Sequence, residues 1–311
     1  MIDRQTEASP LVALTGATGF IGRRILAELP KRGYRFRVLL RRPVDVPLES
    51  DSAVIGDLAR PQNLSAALRG VDAVIHSAGV PHGVSGVPEA DHRALNTEAT
   101  INLALAAERA RVKRFVFLSS IRAQIGPSAE GIVSEAQPPA PTDAYGRSKL
   151  EAEQGLAELG MDWAALRPVL VYGPGMKGNL ARLVELARSP YPLPLGGLHA
   201  KRSLLSLDNL VDAIDTVLAA PAPIRTPLIV ADQDPVSVAE MIAAMRQGMG
   251  RGPGLIPVPP PLLKLALNAA GHEDWYERLA FPLVVDTSAL LRLGWAPRLP
   301  TREGLRRLVK A

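Results

Sequence analysis

Three glycines at three-residue spacing, directly after a short apolar run, constrain the fold of this chain more than any other feature. The apolar run is Leu11–Leu14, and the glycines are Gly16, Gly19 and Gly22. The pattern predicts a buried strand that turns tightly into a helix over Ile21–Leu29. We expect Gly16 to adopt a positive φ, Gly19 to admit phosphate groups to the helix N-terminus, and Gly22 to let the helix lie close to the sheet. The turn predicts a dinucleotide site, although its Gly-x-x-Gly-x-x-Gly spacing differs from the usual Gly-x-Gly-x-x-Gly.

A tyrosine and a lysine four residues apart form the second informative motif. Tyr145 and Lys149 share one face of a helix predicted over Tyr145–Leu159. A nearby ammonium, or the positive charge of an oxidised nicotinamide, favours the phenolate of a tyrosine whose ordinary pKa is about 10. The phenol can then exchange a proton with substrate while hydride moves. A hydroxyl from Ser119 or Ser120, at the end of a predicted strand, could polarise the reacting oxygen.

The first two thirds of the chain alternate between short apolar runs and amphipathic segments. After the first strand, the predicted strands are Phe36–Leu40, Ala53–Ile55, Ala73–His76, Phe115–Leu118 and Trp163–Leu166. The intervening helices are predicted over Pro61–Arg69, Pro88–Arg109 and Tyr145–Leu159. This alternation predicts an α/β fold with a Rossmann-type, doubly wound parallel sheet whose ligands bind at the carboxyl ends of the strands.

Proline and glycine become frequent after Arg167-Pro168, and the predicted helices become short. They cover Asn179–Arg188, Asn209–Ala219, Val238–Gln247 and Thr301–Val309. We therefore expect an NAD(P)-binding Rossmann domain over residues 1–170. A smaller, mainly substrate-binding domain is expected over residues 171–311, with segments near 203–232 returning to the core.

The amino-acid composition limits the classes of molecule that this chain is expected to bind. The 36 basic and 31 acidic residues give a net charge of +5, but the arginines are scattered and aromatic residues make up only 4% of the chain. These features favour a small phosphorylated substrate over nucleic acid. The chain has no cysteine, which excludes disulfides and thiolate metal sites, and we expect no metal. No apolar run approaches the ~18–20 residues of a membrane span, and residues 1–10 lack a signal-peptide core, so we expect a cytoplasmic protein without a membrane partner.

The residues after the second and third strands bear on the cofactor. Arg41 and Arg42 stand where an acidic residue would select NAD, and a guanidinium there can pair with the 2′-phosphate of NADP. The alternative is a pair of surface arginines in a protein that uses NAD or both cofactors. Asp57 could accept a hydrogen bond from the adenine amino group, or could simply stabilise a turn.

Together these motifs follow the order of one family. They are the opening glycine turn, Gly56-Asp57-Leu58, His76-Ser77-Ala78-Gly79, Asn96, Ser119-Ser120, Tyr145–Lys149, Arg167-Pro168 and Tyr172-Gly173-Pro174-Gly175. Over nearly its whole length the chain resembles the extended short-chain dehydrogenase/reductases of the nucleotide-sugar branch, which includes UDP-glucose 4-epimerases and UDP-4-keto-sugar reductases. The resemblance implies a cofactor site formed by Gly16, Thr18, Gly19, Phe20, Ile21, Gly22, Arg41, Asp57, Leu58, Ser77, Ala78, Gly79, Asn96, Tyr145, Lys149 and Pro168.

The same resemblance implies the catalytic roles. Tyr145 would be the acid/base and Lys149 its ribose-binding partner. We assign the third catalytic position to Ser120, although counting back from Gly126 would place it at Ile121. The implied substrate-binding residues are Ser120, Tyr145, Asn179, Leu180 and Arg202. In relatives His76 lies beside the cofactor, but by itself it reads as a hydrogen-bonded core histidine.

The sequence favours an NAD(P)-dependent oxidoreductase that acts at C4 of a nucleoside-diphosphate sugar, with UDP as the expected nucleotide. We favour reduction of a 4-keto sugar for bacterial polysaccharide synthesis over 4-epimerisation with bound NAD. Some epimerases hold NAD with a lysine in the segment after His76, and this chain lacks that lysine. Together with the arginines after the second strand, its absence favours a cofactor that is released and bound again. Ile121-Arg122 replaces the Asp-Glu pair of 4,6-dehydratases.

Two further hypotheses about the function are a reductase of hydrophobic ketones and a non-enzymatic NADP sensor. Cousins of this family reduce hydrophobic or steroid-like ketones with NADP, but Arg202 and Asn179 favour a phosphorylated substrate. Non-enzymatic NADP sensors have typically lost the tyrosine or the lysine, whereas Tyr145 and Lys149 are both present. Relatives also pair through the helices that carry Asn96 and Tyr145, so a homodimer is a further expectation.

Overall fold

The computed structural model describes residues 9–43, 50–60, 64–81, 88–269, 271, 276 and 280–310. Two compact units divide these residues. The first unit takes in the described residues of Met1–Gln124, Pro139–Arg167 and Ala213–Leu228. The second unit takes in those of Ile125–Pro138, Pro168–Asp212 and Ile229–Ala311.

The strands of the described residues are β1 (Leu11–Thr15), β2 (Arg35–Leu40), β3 (Asp51–Val54), β4 (Ala73–His76), β5 (Arg114–Leu118), β6 (Ile132–Val133), β7 (Asp162–Pro168), β8 (Leu170–Tyr172), β9 (Lys201–Arg202), β10 (Leu204–Ser206), β11 (Thr226–Val230), β12 (Val236–Ser237) and β13 (Val284–Val285).

The α-helices of the same residues are α1 (Phe20–Glu28), α2 (Leu64–Ala67), α3 (Glu89–His92), α4 (Ala99–Arg109), α5 (Ala144–Ala157), α6 (Asn179–Arg188), α7 (Leu207–Ala219), α8 (Val238–Gly248), α9 (Pro260–Ala269), α10 (Ser288–Arg292) and α11 (Thr301–Leu308). A π-helical segment, Arg93–Glu98, joins α3 to α4, and 3₁₀ turns cover Pro30–Arg32 and Ile121–Ala123.

Seven strands form one parallel sheet in the order β11-β7-β5-β4-β1-β2-β3. The predicted doubly wound α/β fold is therefore confirmed. The strand order reverses between β1 and β4, which is the position where such sheets bind ligands. The register pairs Thr15 with His76, and His76 with Phe117, so that β1, β4 and β5 end side by side. The segments that follow these strands are consequently brought together at one edge of the sheet.

The strands at the centre of this sheet are buried along their whole length. Every residue of β1, β4 and β5 is buried, because helices cover both faces of a parallel sheet. Phe115, Phe117 and Trp163 contribute the largest side chains to this core. The continuous apolar runs in the sequence reflect this two-sided burial.

Arg114 joins residues 213–228 to the rest of the first unit. Its Nε atom pairs with Asp162 at 2.5 Å. Its guanidinium donates at 2.7–3.2 Å to four carbonyl groups at and beyond the end of α7, those of Val217, Leu218, Ala220 and Ala222. The buried guanidinium therefore satisfies carbonyl groups at the C-terminal end of α7 and fixes the approach to β11.

The second unit contains three two-stranded pairs, which are β8–β10, β9–β12 and β6–β13. Its apolar core lies mainly between α6 and α8 and includes Leu183, Val184 and Met241. Helix α8 begins with a capping box, in which the Ser237 side chain and the Glu240 side chain each bond the other residue's backbone N–H.

Most of the predicted helices are present with small shifts at their ends. Helices α6, α8 and α11 lie within one residue of their predicted bounds, and α7 begins two residues earlier. Residues 61–63 of the predicted helix Pro61–Arg69 lie outside the described residues. The sequence did not predict β11, which adds a seventh strand, or helix α9. It also did not predict the short strand pairs of the second unit, because two- and three-residue strands carry too little periodicity to detect.

In the part of the chain that the structure describes, no helix is both long and apolar enough to cross a membrane.

Candidate active site

The turn between β1 and α1 leaves no room for side chains. Gly16 has a φ of 72°, and a Cβ atom there would lie 2.7 Å from backbone atoms of Ser77 and Ala78. A Cβ atom on Gly22 would lie 2.1 Å from the carbonyl oxygen of Gly16. The two glycines thus keep three backbone segments in direct contact. The role of Gly22 differs from the prediction, because its neighbour is the glycine turn and not the sheet.

Gly19 is the N-cap of helix α1, and no described side chain caps the first turn of that helix. Thr18 and Gly19 are exposed, whereas Phe20 and Ile21 are half-buried. An uncapped helix N-terminus presents N–H groups and a partial positive charge to an anion. Together with the space that the glycines keep free of side chains, this arrangement fits the pyrophosphate of a dinucleotide.

The residues predicted to meet the adenosine part of the cofactor lie just beyond β2 and β3. Arg41 and Arg42 are exposed, and neither has a hydrogen bond or ion pair within the described residues. The Asp57 carboxylate accepts the N–H of Ala59 at 3.0 Å, so the turn role considered for this residue is present. Leu58 packs against the core of the first unit.

A chain of hydrogen bonds crosses the carboxyl ends of β1 and β4. The N–H of Ala78 donates to Thr15 Oγ1 at 3.2 Å, and that oxygen lies 2.7 Å from His76 Nδ1. On the other side, His76 Nε2 lies 3.0 Å from Thr100 Oγ1, which donates to the carbonyl of Asn96 at 2.6 Å. Because Thr100 uses its proton on Asn96, it accepts from Nε2–H of His76, and Nδ1 therefore accepts from Thr15.

Burial, with a smaller effect of the Lys149 ammonium, lowers the pKa of His76 to about 3. The imidazole is therefore neutral, with both ring nitrogens bonded to threonine hydroxyls. His76 is thus the hydrogen-bonded core histidine that the sequence allowed for, and it braces the segment after β4 against the glycine turn.

Asn96 is buried in the π-helical segment and bonds the loop after β4. Its Oδ1 accepts the N–H of Val80 at 2.8 Å, and its Nδ2 donates to Ser148 Oγ at 3.1 Å. A Cβ atom on Gly79 would lie 2.6 Å from Asn96 Oδ1, which explains the glycine at that position. The wider π-helical turn interrupts the single helix predicted here, and such turns are common where a side chain has a specific task.

Tyr145 lies in the first turn of α5, where its half-buried phenol is hydrogen-bonded to Ser120. Burial raises the pKa of Tyr145 to about 12, while the Ser120 hydrogen bond opposes that rise. Asp143 raises the pKa further, and Arg122 lowers it. Burial has the largest of these effects, so the phenol of Tyr145 is neutral in the physiological pH range.

Lys149 is buried and lies beside the same tyrosine. Its Nζ donates to the carbonyl of Leu118 at 2.9 Å and lies 4.5 Å from the centroid of the Phe117 ring. The same atom is 5.9 Å from the centroid of the Tyr145 ring. Burial lowers the pKa of Lys149 to about 8, while the negative charge of Glu153 raises it. The ammonium is therefore held at the end of β5 and faces both rings.

The three candidate positions for the catalytic hydroxyl, Ser119, Ser120 and Ile121, differ in their surroundings. Ser119 Oγ is buried and donates to Glu153 Oε1 at 2.5 Å. Ile121 has an apolar side chain and is buried in the 3₁₀ turn. Ser120 is the member of the three whose hydroxyl is hydrogen-bonded to Tyr145. The geometry therefore brings Ser120 and Tyr145 together.

The residues predicted to bind substrate diphosphate lie in the second unit. Arg202 is half-buried and donates to the carbonyl groups of Phe281 at 2.6 Å and Pro127 at 3.0 Å. Asn179 is exposed at the start of α6. Leu180 is buried in the apolar core of the second unit. Its backbone lies in the first turn of α6.

Sequence reasoning missed the buried charge cluster beneath the site. Glu153, four residues after Lys149, accepts from Arg167 Nε at 3.0 and 3.1 Å and also from its Nη2. Arg167 Nη1 donates to Gln124, and the next residue, Pro168, is buried at the end of β7. A glutamate at helical spacing from Lys149 was the available signal, since it shares the inward face of α5.

Comparison with known proteins agrees with the fold. The model of the NAD dependent epimerase/dehydratase family matches residues 12–231, which is more than half of the chain. The chain belongs to this family. The UDP-glucose 4-epimerase of Vibrio cholerae is 34% identical over an alignment that covers 96% of this chain and 94% of that protein.

Two more relatives bear on the chemistry. The ceramide reductase of Caulobacter vibrioides is 28% identical, with 96% of this chain and 90% of that protein covered. Among solved structures, MoeE5 in complex with UDP-glucose and NAD is similar with a TM-score of 0.74 and 28% identity, and 96% of this chain and 97% of that chain are covered.

Proposed function

We propose that this chain is an NAD(P)-dependent oxidoreductase that transfers hydride at C4 of a UDP-sugar. The observation that carries the proposal is the Ser120–Tyr145 hydrogen bond, with Lys149 buried beside it at the end of β5. The V. cholerae relative is named for C4 chemistry on UDP-glucose, and MoeE5 was solved with UDP-glucose and NAD. Both support a UDP-sugar as the substrate class.

In this proposal the first unit would bind the cofactor. Gly16, Gly19 and Gly22 would hold the pyrophosphate at the start of α1, with Thr18, Phe20 and Ile21 around it. The segment Ser77–Gly79 would line the crevice beside the turn, and Asn96 would keep that segment in place. When bound, the nicotinamide would supply or accept the hydride. The adenosine end would lie toward Arg41 and Asp57.

The chain's own residues would handle the proton. In reduction, Tyr145 Oη would donate its proton to the C4 oxygen as hydride reaches C4, so that a ketone becomes an alcohol. The Ser120 hydroxyl would donate a hydrogen bond to the same oxygen and stabilise the negative charge that develops there. Lys149 would hold the nicotinamide ribose and keep a positive charge near the phenolate that Tyr145 becomes.

Of the two reaction modes, we favour reduction of a 4-keto sugar with NADPH. A tyrosine whose pKa lies near 12 is already protonated and suited to act as an acid. Arg41 and Arg42 have no partner within the described residues and are suited to bind a 2′-phosphate. The alternative is 4-epimerisation with retained NAD, which the name of the V. cholerae relative supports.

Residues 171–311 would form most of the substrate-binding domain. Asn179 and the backbone of Leu180, at the N-terminus of α6, would meet the diphosphate together with Arg202. Arg202 would have to exchange at least one of its two carbonyl partners for a phosphate oxygen.

A hydrophobic ketone is the second candidate substrate. The specific observation in its favour is the similarity to a ceramide reductase along 96% of this chain. Calorimetric titration with UDP separates the candidates, because a UDP-sugar enzyme should bind UDP and a lipid-ketone reductase should not.

The first experiment is to identify the nucleotide retained by the purified protein and then to titrate with NADPH and NADH. Tightly retained NAD without a preference for NADPH would support the epimerase and make Arg41 a surface residue. An empty protein that binds NADPH far more tightly than NADH would support the reductase. Tyr145→Phe should then lower turnover by roughly 10²- to 10⁴-fold, and unchanged turnover would overturn the proposed function.

A further inference from the structure

An ion pair beside the candidate catalytic residues joins two segments that are distant in sequence. Arg122, in the 3₁₀ turn after Ser120, donates through Nε to Asp143 Oδ2 at 3.1 Å and also through Nη2. The two side chains are only 13% and 29% exposed. A planar guanidinium that bonds one carboxylate through two nitrogens has a fixed orientation, unlike a single surface contact.

Each partner of this pair is bonded to the backbone next to a candidate catalytic residue. The N–H of Arg122 donates to Ser120 Oγ at 3.2 Å. Asp143 is the N-cap of α5, and its Oδ1 accepts the N–H of Gly146 at 2.6 Å. Tyr145 lies between the cap and Gly146 in the sequence. The ion pair therefore joins the turn that carries Ser120 to the helix end that carries Tyr145.

Gly146 provides a third contact between the same two segments. A Cβ atom there would lie 2.3 Å from the carbonyl oxygen of Arg122, so the 3₁₀ turn packs directly on the backbone of α5. Because backbone is in contact with backbone, a small change in the ion pair cannot be absorbed by a flexible side chain.

We propose that Arg122 and Asp143 are positioning residues that hold Ser120 Oγ against the phenol of Tyr145 in the geometry needed for turnover. This inference rests on the proposed function, since it assigns Ser120 and Tyr145 to catalysis. It also gives Arg122 a role at the position where 4,6-dehydratases carry an acidic residue. Neither Arg122 nor Asp143 exchanges a proton with substrate in this scheme.

The test compares variants that break the pair in different ways. Arg122→Met removes the charge and keeps much of the apolar stem, while Arg122→Lys keeps the charge. Asp143→Asn keeps an oxygen that can cap α5 but loses the carboxylate. Arg147→Met is the matched control. Arg147 lies in α5, as Tyr145 does, and its substitution breaks an exposed ion pair with Glu89.

We expect Arg122→Met to lower kcat roughly 10- to 100-fold, since misplacement by a fraction of an ångström to one ångström has effects of this order. KM and the Kd for the dinucleotide should stay within about twofold. Arg122→Lys should recover part of kcat, Asp143→Asn should resemble Arg122→Met, and Arg147→Met should behave as the unaltered protein.

A double variant separates positioning from general destabilisation. If the pair acts through Ser120, then Arg122→Met should cost less than about threefold in a Ser120→Ala background. An equal loss in both backgrounds, or an unchanged kcat in Arg122→Met, would overturn the inference. Full activity of Tyr145→Phe and Ser120→Ala would instead overturn the proposed function, so the two failures are distinguishable.

Discussion

Glu153 and Arg167 form an ion pair whose side chains are 4% and 3% exposed, one helical turn beyond Lys149. The same carboxylate accepts the hydroxyl of Ser119 at 2.5 Å. These two contacts connect helix α5 to the ends of β5 and β7. The pair also places a negative charge near Lys149, which opposes the effect of burial on the pKa of that lysine.

Glu153→Ala should therefore be strongly destabilising. It would leave the Arg167 guanidinium buried without its carboxylate, and such losses cost about 3–5 kcal/mol in the free energy of unfolding. Glu151→Ala, an exposed change in the same helix, should stay within about 0.5 kcal/mol. Urea unfolding of both variants makes the comparison, and similar stabilities would show that the buried pair has no such role.

Gly22→Ala should weaken dinucleotide binding by more than about tenfold, or ~1.4 kcal/mol. The added Cβ atom would lie 2.1 Å from the carbonyl oxygen of Gly16 and would force the turn away from α1. Gly252→Ala is the control, because a Cβ atom there meets nothing within 4 Å. Fluorescence titration with NADPH gives both Kd values, and equal values would contradict the proposed seat of the pyrophosphate.

The pH dependence of turnover should differ between the two directions of reaction. With a pKa near 12, Tyr145 is protonated throughout the neutral range and can donate its proton in reduction without a prior step. Oxidation needs the phenolate, whose fraction rises about tenfold per pH unit below the pKa. We therefore expect kcat/KM for alcohol oxidation to rise from pH 7 to 9, while that for reduction shows no such rise. A kcat/KM for alcohol oxidation that does not change with pH would argue against Tyr145 as the base.

His76 should remain neutral, with its proton on Nε2, down to about pH 4. Burial lowers its pKa to about 3, and the bonds to Thr15 and Thr100 select this tautomer. Imidazole ¹⁵N chemical shifts distinguish the two tautomers and the cation, and His76→Asn assigns the signal. A signal that titrates near pH 6.5, the ordinary value for histidine, would contradict the hydrogen-bond chain.

The contribution of Asp232 to the free energy of unfolding should become more favourable to the folded state as the pH falls. Burial raises its pKa to about 6, although hydrogen bonds from Asn209, the N–H of Ser206 and Tyr172 oppose the rise. The folded carboxyl therefore binds a proton more tightly than the unfolded one, whose pKa is near 3.9. The penalty for its charge is fully present above about pH 6 and is lost progressively toward pH 4.

Relative to Asp232→Asn, the unaltered protein should gain up to about 3 kcal/mol between pH 7 and pH 4. Denaturant unfolding of both proteins at several pH values tests this, because the other carboxyl groups cancel in the difference. A difference that is constant with pH, or that grows as the pH rises, would contradict the assignment.

Most of the correct predictions came from local patterns, formed by residues close together in the sequence. The apolar runs, the three glycines and the Tyr145–Lys149 spacing predicted the parallel sheet and the order of its elements, because each depends on local periodicity or on a backbone turn. Tyr145 and Lys149 share a helix, so their common face follows from 3.6 residues per turn.

Contacts between distant segments lay beyond that reasoning. Counting from Tyr145 places the catalytic hydroxyl at Ser120, whereas counting from Gly126 places that position at Ile121. Only the packing of the 3₁₀ turn on α5 distinguishes the two positions. The neutral phenol was not foreseen either, because burial depends on every segment that surrounds the side chain.

The amino-acid order therefore determined the family, the strand–helix alternation and the candidate hydride-transfer motif. Packing across the chain determined which groups have partners: Arg114 holds residues 213–228 in the first unit, Arg122 meets Asp143, and Leu180 is buried in the second core. The physical reason is that backbone turns and periodic burial are encoded over a few residues. Ion pairs, buried carboxylates and shifted pKa values depend on neighbours that folding brings from far along the chain.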